Sequence, residues 1–276
     1  FMAFIALLLV AVGLAAGTVG SLVGLGGGVI IVPALIFLSR WFGQLAVTPQ
    51  VATGTSLAVI VVSSLSSSIA YYRQRKVDFK SALLFFAGSG PGAMAGAALN
   101  ARMTGGGILI GFGAFLIAMA FLLAVRDRLG KRHMRWTVRR TYTDPASGET
   151  FEYGYAKSLA LAVSFATGML AGLFGVGGGA LMMPVLLVLF HFPVQVAAAT
   201  SMFMIFLSSL PGTFTHAHYG HIQWLYAALL APGAWAGGKL GAWLSLRLKT
   251  RTLTLILRLM LVVIGLRFIW DGVQSM

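Results

Sequence analysis

One unusual phrase occurs twice in this chain. It reads "GTVGSLVGLGGGVIIVP" from Gly17 to Pro33 and "GMLAGLFGVGGGALMMP" from Gly168 to Pro184. Each copy places three adjacent glycines and then a proline inside otherwise apolar sequence. Glycine costs about 1 kcal/mol in a helix interior and proline about 3 kcal/mol. Both phrases therefore predict a break in an apolar helix, at equivalent places in two related units.

The composition is that of an integral membrane protein. Hydrophobic residues make up 58% of the chain and charged residues 9%, whereas soluble domains carry about 25% charged residues. The apolar stretches have helical length, and no alternating strands of about ten residues point to a barrel. The stretch 2–23 is expected to be a first span rather than a signal peptide, because it has no charged region before it. The chain has no cysteine, so disulfides and thiolate metal sites are excluded.

The repeat extends well beyond the glycines. The glycine phrases match at an offset of 151 residues, and Gln50, Thr55 and Ser56 match Gln195, Thr200 and Ser201 at an offset of 145. The phrase "PGAMAG" at 91–96 then matches "PGAWAG" at 232–237 at an offset of 141. Three matched blocks in one order indicate a duplicated unit with short insertions and deletions.

Each unit contains five hydrophobic segments. They are expected near 2–23, 27–42, 50–72, 80–102 and 105–125, and then near 155–174, 177–192, 196–217, 222–246 and 252–271. The expected division is a first repeat over 1–125, a basic linker over 126–154 and a second repeat over 155–276. The second and seventh segments are short for a bilayer of about 30 Å. The glycine phrase is thus either a tight turn between two spans or the tip of a re-entrant hairpin.

The basic residues predict the orientation. They cluster in "RQRK" at 73–76, in the run 126–140 and in "RLKTR" at 247–251. If the first two segments of each unit reach one membrane face and return, all three clusters lie on one side, as the positive-inside rule requires. This arrangement makes the two repeats inverted, which is a transporter architecture. It also explains the net charge of +14 without a nucleic-acid partner, and it places the linker in the cytoplasm.

The linker is expected to fold locally. The sequence "WTVRRTYTDPASGETFEYGY" has two stretches of mixed aromatic and polar residues around Asp-Pro and Ser-Gly turn signals. We expect a short cytoplasmic β-hairpin, with a disordered linker as the alternative.

The glycines and the following hydroxyls form the candidate substrate site. Helix N-termini carry unpaired amides and a partial positive charge, which suit an anion, and in inverted repeats two such termini would face each other. Close helix packing is the alternative role for the glycines. The hydroxyls of Thr53, Ser56, Ser63 and Ser67 share one helix face and are expected to line a path, or else to bond within their own helix. The expected substrate-binding residues are Gly26, Gly27, Gly28, Thr55, Ser56, Gly177, Gly178, Gly179, Thr200 and Ser201.

The ionisable residues argue against an enzyme. All six acids fall in loops or at span ends, so no buried carboxylate is available for proton or sodium coupling. His216, His218 and His221 are expected in a solvated outer loop, with metal binding or pH sensing as the alternatives. No catalytic residue, metal ligand or cofactor is predicted.

The motifs "GLGGGVIIVPAL" and "GVGGGALMMPVL", followed by "ATGTS" and "AAATS", resemble the TauE/SafE family of bacterial membrane proteins. The resemblance covers essentially the whole chain and implies an inner-membrane exporter of a small sulfur anion such as sulfite, sulfoacetate or a related sulfonate. An uptake permease, an anion channel and a non-transport assembly factor are the alternatives, and a homodimer is left open. An interior-negative potential drives an anion outward by about 2.3 kcal/mol per charge per 100 mV. Export therefore needs no coupling cation.

Overall fold

The computed structural model describes residues 2–42, 47–102, 106–125, 136–143, 148–177, 179–248 and 250–274. Ten α-helices and two β-strands lie within these ranges. In chain order they are α1 (Met2–Val23), α2 (Gly28–Phe42), α3 (Pro49–Tyr72), α4 (Phe79–Asn100), α5 (Gly106–Val125), β1 (Val138–Thr143), β2 (Thr150–Tyr155), α6 (Lys157–Phe174), α7 (Gly179–Val188), α8 (Val194–His218), α9 (Trp224–Arg247) and α10 (Thr250–Gln274).

The helices begin and end close to the expected segments, with one clear exception. The segment expected over 177–192 is helical only from Gly179 to Val188. Beyond it His191 adopts a positive φ of 56°, and Pro193 disfavours helical backbone at the residue before it. The seventh segment is therefore shorter than its hydropathy indicates.

Within the described part of the chain, six helices are long and apolar enough to cross a membrane. These spans are Phe4–Val23, Pro49–Tyr72, Phe79–Asn100, Lys157–Phe174, Val194–His218 and Arg251–Gln274. By contrast, α2 and α7 have 15 and 10 residues. At 1.5 Å per residue these lengths are about 22 Å and about 15 Å, short of a hydrocarbon core of about 30 Å. The chain is thus a mostly helical, multi-pass membrane protein.

Glycines let two pairs of helices pack at close range. On α9, Gly233, Gly237 and Gly241 lie against the backbone of α1 at Val10, Leu14 and Thr18. On α4, Gly88, Gly92 and Gly96 lie against the backbone of α6 at Leu161, Phe165 and Met169. A side chain at any of these glycines would collide with the neighbouring backbone, as expected for small-residue helix packing. In both pairs the residue numbers rise together, so the paired helices run in the same direction.

These two packing seams correspond to one another in the two halves of the sequence. The α1 positions map onto the α6 positions at the offset of 151, and the α4 glycines map onto the α9 glycines at an offset of 145. The offset of 141 that aligns "PGAMAG" with "PGAWAG" is therefore wrong for the folded helices. Glycine and alanine recur every few residues in both helices, so a slip of one helical turn keeps much of the letter match.

The central helices α3 and α8 run in opposite directions. The start of α3, at Gly54, packs against His216 near the end of α8, and Leu57 packs against Gly212. The middles of the two helices, at Ile60 and Ile205, lie beside the same glycines. A contact made by one half of the chain therefore has its counterpart in the other half.

The expected hairpin is confirmed. Strands β1 and β2 pair antiparallel, with Val138 opposite Tyr155 and Thr143 opposite Thr150. The tip at 144–147 and the basic run at 126–135 lie outside the described residues. The hairpin packs on the bundle because Gly154 N donates to Phe190 O over 3.2 Å, and because Tyr155 packs its ring against Phe85 and Phe190.

Polar contacts fix the hairpin over the start of α4. Asp78 caps this helix by accepting from Ser81 N, and its Oδ2 also accepts from the Tyr153 hydroxyl at 3.2 Å. Arg140 Nε lies 3.7 Å from the same oxygen. Burial raises the pKa of Tyr153 and of Tyr155, so both phenols stay protonated and donate. We call this the hairpin end of the bundle.

Candidate functional site

Two glycine turns interrupt the chain after α1 and after α6. In the first turn, residues 24–27, Gly24, Gly26 and Gly27 have φ values of 75°, 81° and 85°. In the second turn, residues 175–177, Gly175 and Gly177 have φ values of 68° and 81°. Glycine adopts this left-handed region at no steric cost, whereas other residues are strained there. The helix breaks expected from the sequence are therefore present, and Gly178 lies outside the described residues.

The first turn folds back tightly on α1. Leu25 N and Gly26 N both donate to Gly20 O, at 2.7 and 3.2 Å. A Cβ at Gly27 would lie 2.6 Å from the Ala16 carbonyl oxygen. The turn thus directs α2 away from the end of α1. The helices that follow the two turns, α2 and α7, begin at Gly28 and Gly179.

The two turns meet each other. A Cβ at Gly28 would collide with Gly175 O and lie 2.9 Å from Val176 Cα. The sequence expectation that the two glycine phrases face one another is therefore met by direct backbone contact at Gly28. The first amides of a helix have no partner within it, so the start of α2 brings such donors to this contact.

A serine from the opposite half holds each turn. Ser56 Oγ on α3 donates to Gly175 O at 2.8 Å, and Ser201 Oγ on α8 donates to Gly24 O at 3.0 Å. Both serines are fully buried. The structure thus brings Ser56 and Ser201 to the glycine turns, with the serine hydroxyls bound to turn carbonyls. Their role in substrate binding stays a prediction.

Thr55 and Thr200 lie elsewhere. Thr55 Oγ1 accepts from Gln223 N at 3.0 Å, and Thr200 Oγ1 accepts from Asp78 N at 3.1 Å. Each threonine therefore ties its helix to the loop before α9 or before α4. Among the hydrogen bonds of the described residues, neither threonine hydroxyl bonds to a glycine turn, and the expected role of both threonines in substrate binding stays a prediction.

The other hydroxyls expected to line a path also bond to backbone. Thr53 Oγ1 donates to Pro49 O at 2.8 Å, and Ser67 Oγ donates to Ser63 O at 2.8 Å and to Gly238 O at 3.2 Å. Ser63 Oγ is 3.4 Å from Gly26 O. All three side chains are buried. In this conformation the hydroxyl face packs against its neighbours.

Two isoleucines that the sequence reasoning missed lie between Gly26 of the first turn and Gly177 of the second turn. A Cβ at Gly26 would lie 3.1 Å from Ile205 Cδ1 and 3.5 Å from Ile60 Cγ2. A Cβ at Gly177 would lie 3.1 Å from Ile205 Cγ2 and 3.3 Å from Ile60 Cγ2. Both side chains are fully buried. The repeat could have pointed to these residues, because Ile60 and Ile205 are identical at the offset of 145. We call them the isoleucine plug.

The histidines are not all in a solvated loop. His216 lies in the last turns of α8 and is fully buried. Its Nε2 lies 3.0 Å from the carbonyl oxygen of Gly172 on α6. The expectation of a solvated position is therefore wrong for His216. His218 is exposed, and His221 is half-buried in the turn that follows α8. We call this the histidine end of the bundle.

The glycine turns and the buried serine hydroxyls beside them are suited to binding a small anion. Backbone amides at a helix start and buried hydroxyls can replace the hydration shell of a small anion, as helix N-termini do elsewhere. Backbone broken at membrane depth is tolerated where it is buried in protein or lines a cavity. The nearby helix α9 also carries a cation, Lys239, which is exposed and whose Nζ lies 5.5 Å from the centre of the Trp235 ring.

Comparisons with known proteins agree with the resemblance seen in the motifs. Residues 9–268 match the family described as sulfite exporter TauE/SafE. A "probable membrane transporter protein YunE" of Bacillus subtilis is 49% identical over 97% of this chain and 98% of its own length. A "probable membrane transporter protein" of Xylella fastidiosa is 28% identical over 94% of each chain. No solved structure matches this chain. With a family match over nearly its whole length, the chain belongs to the TauE/SafE family of membrane proteins.

Proposed function

We propose that this protein is a membrane transporter that exports a small sulfur-containing anion, such as sulfite or an organosulfonate, down the membrane potential. The observation that carries the proposal is the meeting of the two glycine turns, each leading into a short helix and each held by a serine of the opposite half. Two helix starts that converge inside a membrane protein are suited to an anion. The family description supplies the substrate class.

Inverted repeats explain why the contacts recur in pairs. We propose that residues 1–125 and 155–276 are the two repeats, related by an axis in the membrane plane. The opposite directions of α3 and α8 support this arrangement, because equivalent helices of inverted repeats must cross the membrane in opposite directions. Ile60 and Ile205 then lie near mid-membrane, since each is close to the middle of its helix.

The isoleucine plug favours a gated transporter over an open channel. With Ile60 and Ile205 filling the space between the turns, an anion can enter only when these side chains move. Rocking one repeat against the other would open the site alternately to the two membrane faces. In the described residues neither α3 nor α8, the helices beside the turns, carries a carboxylate. This fits transport without a coupling cation, and we assign no enzymatic role.

The first experiment tests the substrate class. Purified protein is heated with sulfite, sulfate, thiosulfate, sulfoacetate or taurine, and the unfolding temperature is recorded. A ligand at about 100 times its Kd stabilises the folded state by about 2.7 kcal/mol. A rise with a sulfur oxyanion or sulfonate, and none with chloride at equal ionic strength, is expected. If no anion shifts the transition and none crosses in liposomes, the protein is not an anion transporter.

The second experiment tests the orientation, with the hairpin in the cytoplasm of a bacterial cell. The chain has no cysteine, so single cysteines report cleanly. Thr141→Cys on the exposed edge of β1 and His218→Cys at the histidine end are matched probes, since both side chains are exposed. A membrane-impermeant thiol reagent should label His218→Cys in intact cells and Thr141→Cys only after lysis. The reverse pattern would invert the proposed topology.

A further inference from the structure

The two histidines at the histidine end form a pair that the proposed transport site leaves unused. Nδ1 of His216 lies 3.4 Å from Nδ1 of His221. Nε2 of His216 faces the Gly172 carbonyl oxygen at 3.0 Å. A carbonyl oxygen only accepts, so Nε2 carries the hydrogen and Nδ1 of His216 holds a lone pair. In the neutral pair His221 Nδ1–H must therefore be the donor, which leaves the lone pair of His221 on Nε2.

The same places in the first half hold different side chains. Tyr71 is equivalent to His216 at the offset of 145, and its hydroxyl donates to Ser21 O at 2.9 Å. Ser21 is equivalent to Gly172 at the offset of 151. Lys76 is in turn equivalent to His221, and its Nζ donates to Gln195 Oε1. The hairpin end thus has a permanent cation where the histidine end has an imidazole.

Among the described residues, no ion pair or cation–π contact reaches the pair, and Arg102, the cation that follows α4 on this side of the bundle, is exposed. Helix α3 presents Gly54 and Thr55, and α6 presents the Gly172 carbonyl. The titratable groups on the same turn are His218 and Tyr219, with the Tyr219 ring 5.9 Å from His221. The C-terminal end of α8 favours a cation. Burial lowers the pKa of His221, so its charged form is expected only below the ordinary imidazole range near about pH 6.5.

We propose that His216 and His221 form a proton-operated binding site for the transported anion. The proposal rests on the transport function given above. A proton taken up at His221 Nε2 leaves the hydrogen bond to His216 intact. It gives this end the positive charge that Lys76 supplies permanently at the hairpin end. The ligand is a small oxyanion or sulfonate, bound at the histidine end on acidification, while voltage still sets the direction of net flux.

The test uses sulfate as the probe, because sulfate keeps the same charge throughout the pH range of imidazole titration. Its affinity for the purified full-length protein is measured at about pH 5.5 and at about pH 7.5, which bracket the usual histidine charge change. We expect the wild-type affinity to rise on the order of tenfold at the lower pH, a coupling typical between linked sites. His221→Lys, which copies Lys76, should bind tightly at both values, and His221→Gln weakly at both. The exposed-histidine control His218→Gln should keep the wild-type response.

The outcomes separate this site from the proposed function. Sulfate binding and flux with no pH dependence in the wild type would reject the histidine site and leave anion transport standing. A normal pH response in His221→Gln would reject it as well. Absence of binding and of flux for every anion at both pH values would reject transport and this site together. If His221→Lys does not fold, the loss or retention of the response in His221→Gln decides alone.

Discussion

At the scale of single residues, we propose that the isoleucine plug sets whether the central site is open. The aliphatic side chains of Ile60 and Ile205 lie between Gly26 and Gly177 of the two glycine turns and are fully buried. We predict that Ile60→Ala and Ile205→Ala each permit an anion leak, because the removed methyl and methylene groups leave a void between the turns. The measurement is sulfate efflux from liposomes, expected to rise several-fold over the wild type.

The control for the plug is Ile69→Ala. Ile69 lies on the same helix but is 36% exposed, so the same substitution should leave efflux unchanged. Core Ile→Ala changes cost about 2–5 kcal/mol, whereas Ile→Val costs about 0.5–1.5 kcal/mol. Ile60→Val therefore serves if the alanine variant does not fold. If both alanine variants fold well and sulfate efflux stays at the wild-type rate, the isoleucine plug has no part in the mechanism.

Also at the residue scale, we predict that folding requires Gly27. Its φ is 85° and a Cβ there would lie 2.6 Å from Ala16 O, so Gly27→Val should abolish the detergent-stable protein. The sequence alone predicts loss of transport by blocking the anion, but the nearest obstacle is the backbone of α1. The companion position Gly178 lies outside the described residues.

Gly111→Ala is the matched glycine control. A Cβ at Gly111 meets nothing within 4 Å, and this residue is in α5, where alanine is favoured over glycine by about 1 kcal/mol. Equal or better yield is expected from size-exclusion chromatography. If Gly27→Val gave the same yield as Gly111→Ala, the turn would not need its positive φ.

At the scale of structural elements, the serine braces couple each glycine turn to the opposite half. Ser56→Ala would leave Gly175 O without this donor, and Ser201→Ala would do the same to Gly24 O. A buried acceptor left unpaired costs about 1–3 kcal/mol. We predict that each variant lowers the unfolding temperature and weakens sulfate binding, because the turn carbonyls and amides lose their fixed positions.

The double variant Ser56→Ala with Ser201→Ala tests whether the two serine hydrogen bonds stabilise the two glycine turns as one structural unit. The two turns contact each other at Gly28, and residues in contact show coupling of about 0.5–3 kcal/mol. The stability loss of Ser56→Ala with Ser201→Ala should therefore differ from the sum of the single losses. The control is Ser158→Ala, since Ser158 is exposed at the start of α6. Strict additivity would mean that the turns are held independently.

The elements also show how far sequence reasoning reaches. Hydropathy and repeat matching predict the helices, the hairpin and the glycine breaks, because burial in a bilayer and positive φ leave direct marks in composition. The burial of His216 depends on Gly172, which is 44 residues away, and no local pattern records that contact. Thr55 and Ser56 are neighbours in sequence, yet one bonds to Gln223 and the other to Gly175, since adjacent helical side chains point in different directions.

At the scale of the whole molecule, the two halves share a scaffold but differ at their ends. The hairpin end has Lys76 and Asp78, and the equivalent places at the histidine end have His221 and Gln223. The hairpin packs only on the first of these ends, through Asp78 and Phe190. If the protein works by the alternating access proposed above, such differences make the two open states unequal, so substrate affinity can differ between the two sides.

The whole molecule also carries the prediction on driving force. Of the acids in the described residues, Asp78 caps α4 and contacts Arg140 across 3.7 Å, and Asp271 pairs with Arg267 at 3.2 Å. Glu149 and Glu152 belong to the hairpin region. None of these four carboxylates is on α3 or α8, the helices beside the turns. We therefore predict that an imposed voltage alone drives sulfate flux in liposomes, with no proton or sodium gradient.

The size of the response follows from the charge moved. Each charge contributes about 2.3 kcal/mol per 100 mV, so a step of about 60 mV shifts the equilibrium ratio of a divalent anion roughly a hundredfold. The ratio reached after potassium–valinomycin clamping measures this directly, with Gly111→Ala as a matched preparation. A ratio that ignores voltage but follows an imposed pH gradient would reject the uniport. His216, His218 and His221 would then be the first proton-carrying candidates, and His221→Gln would abolish accumulation if the His216–His221 pair carries the proton.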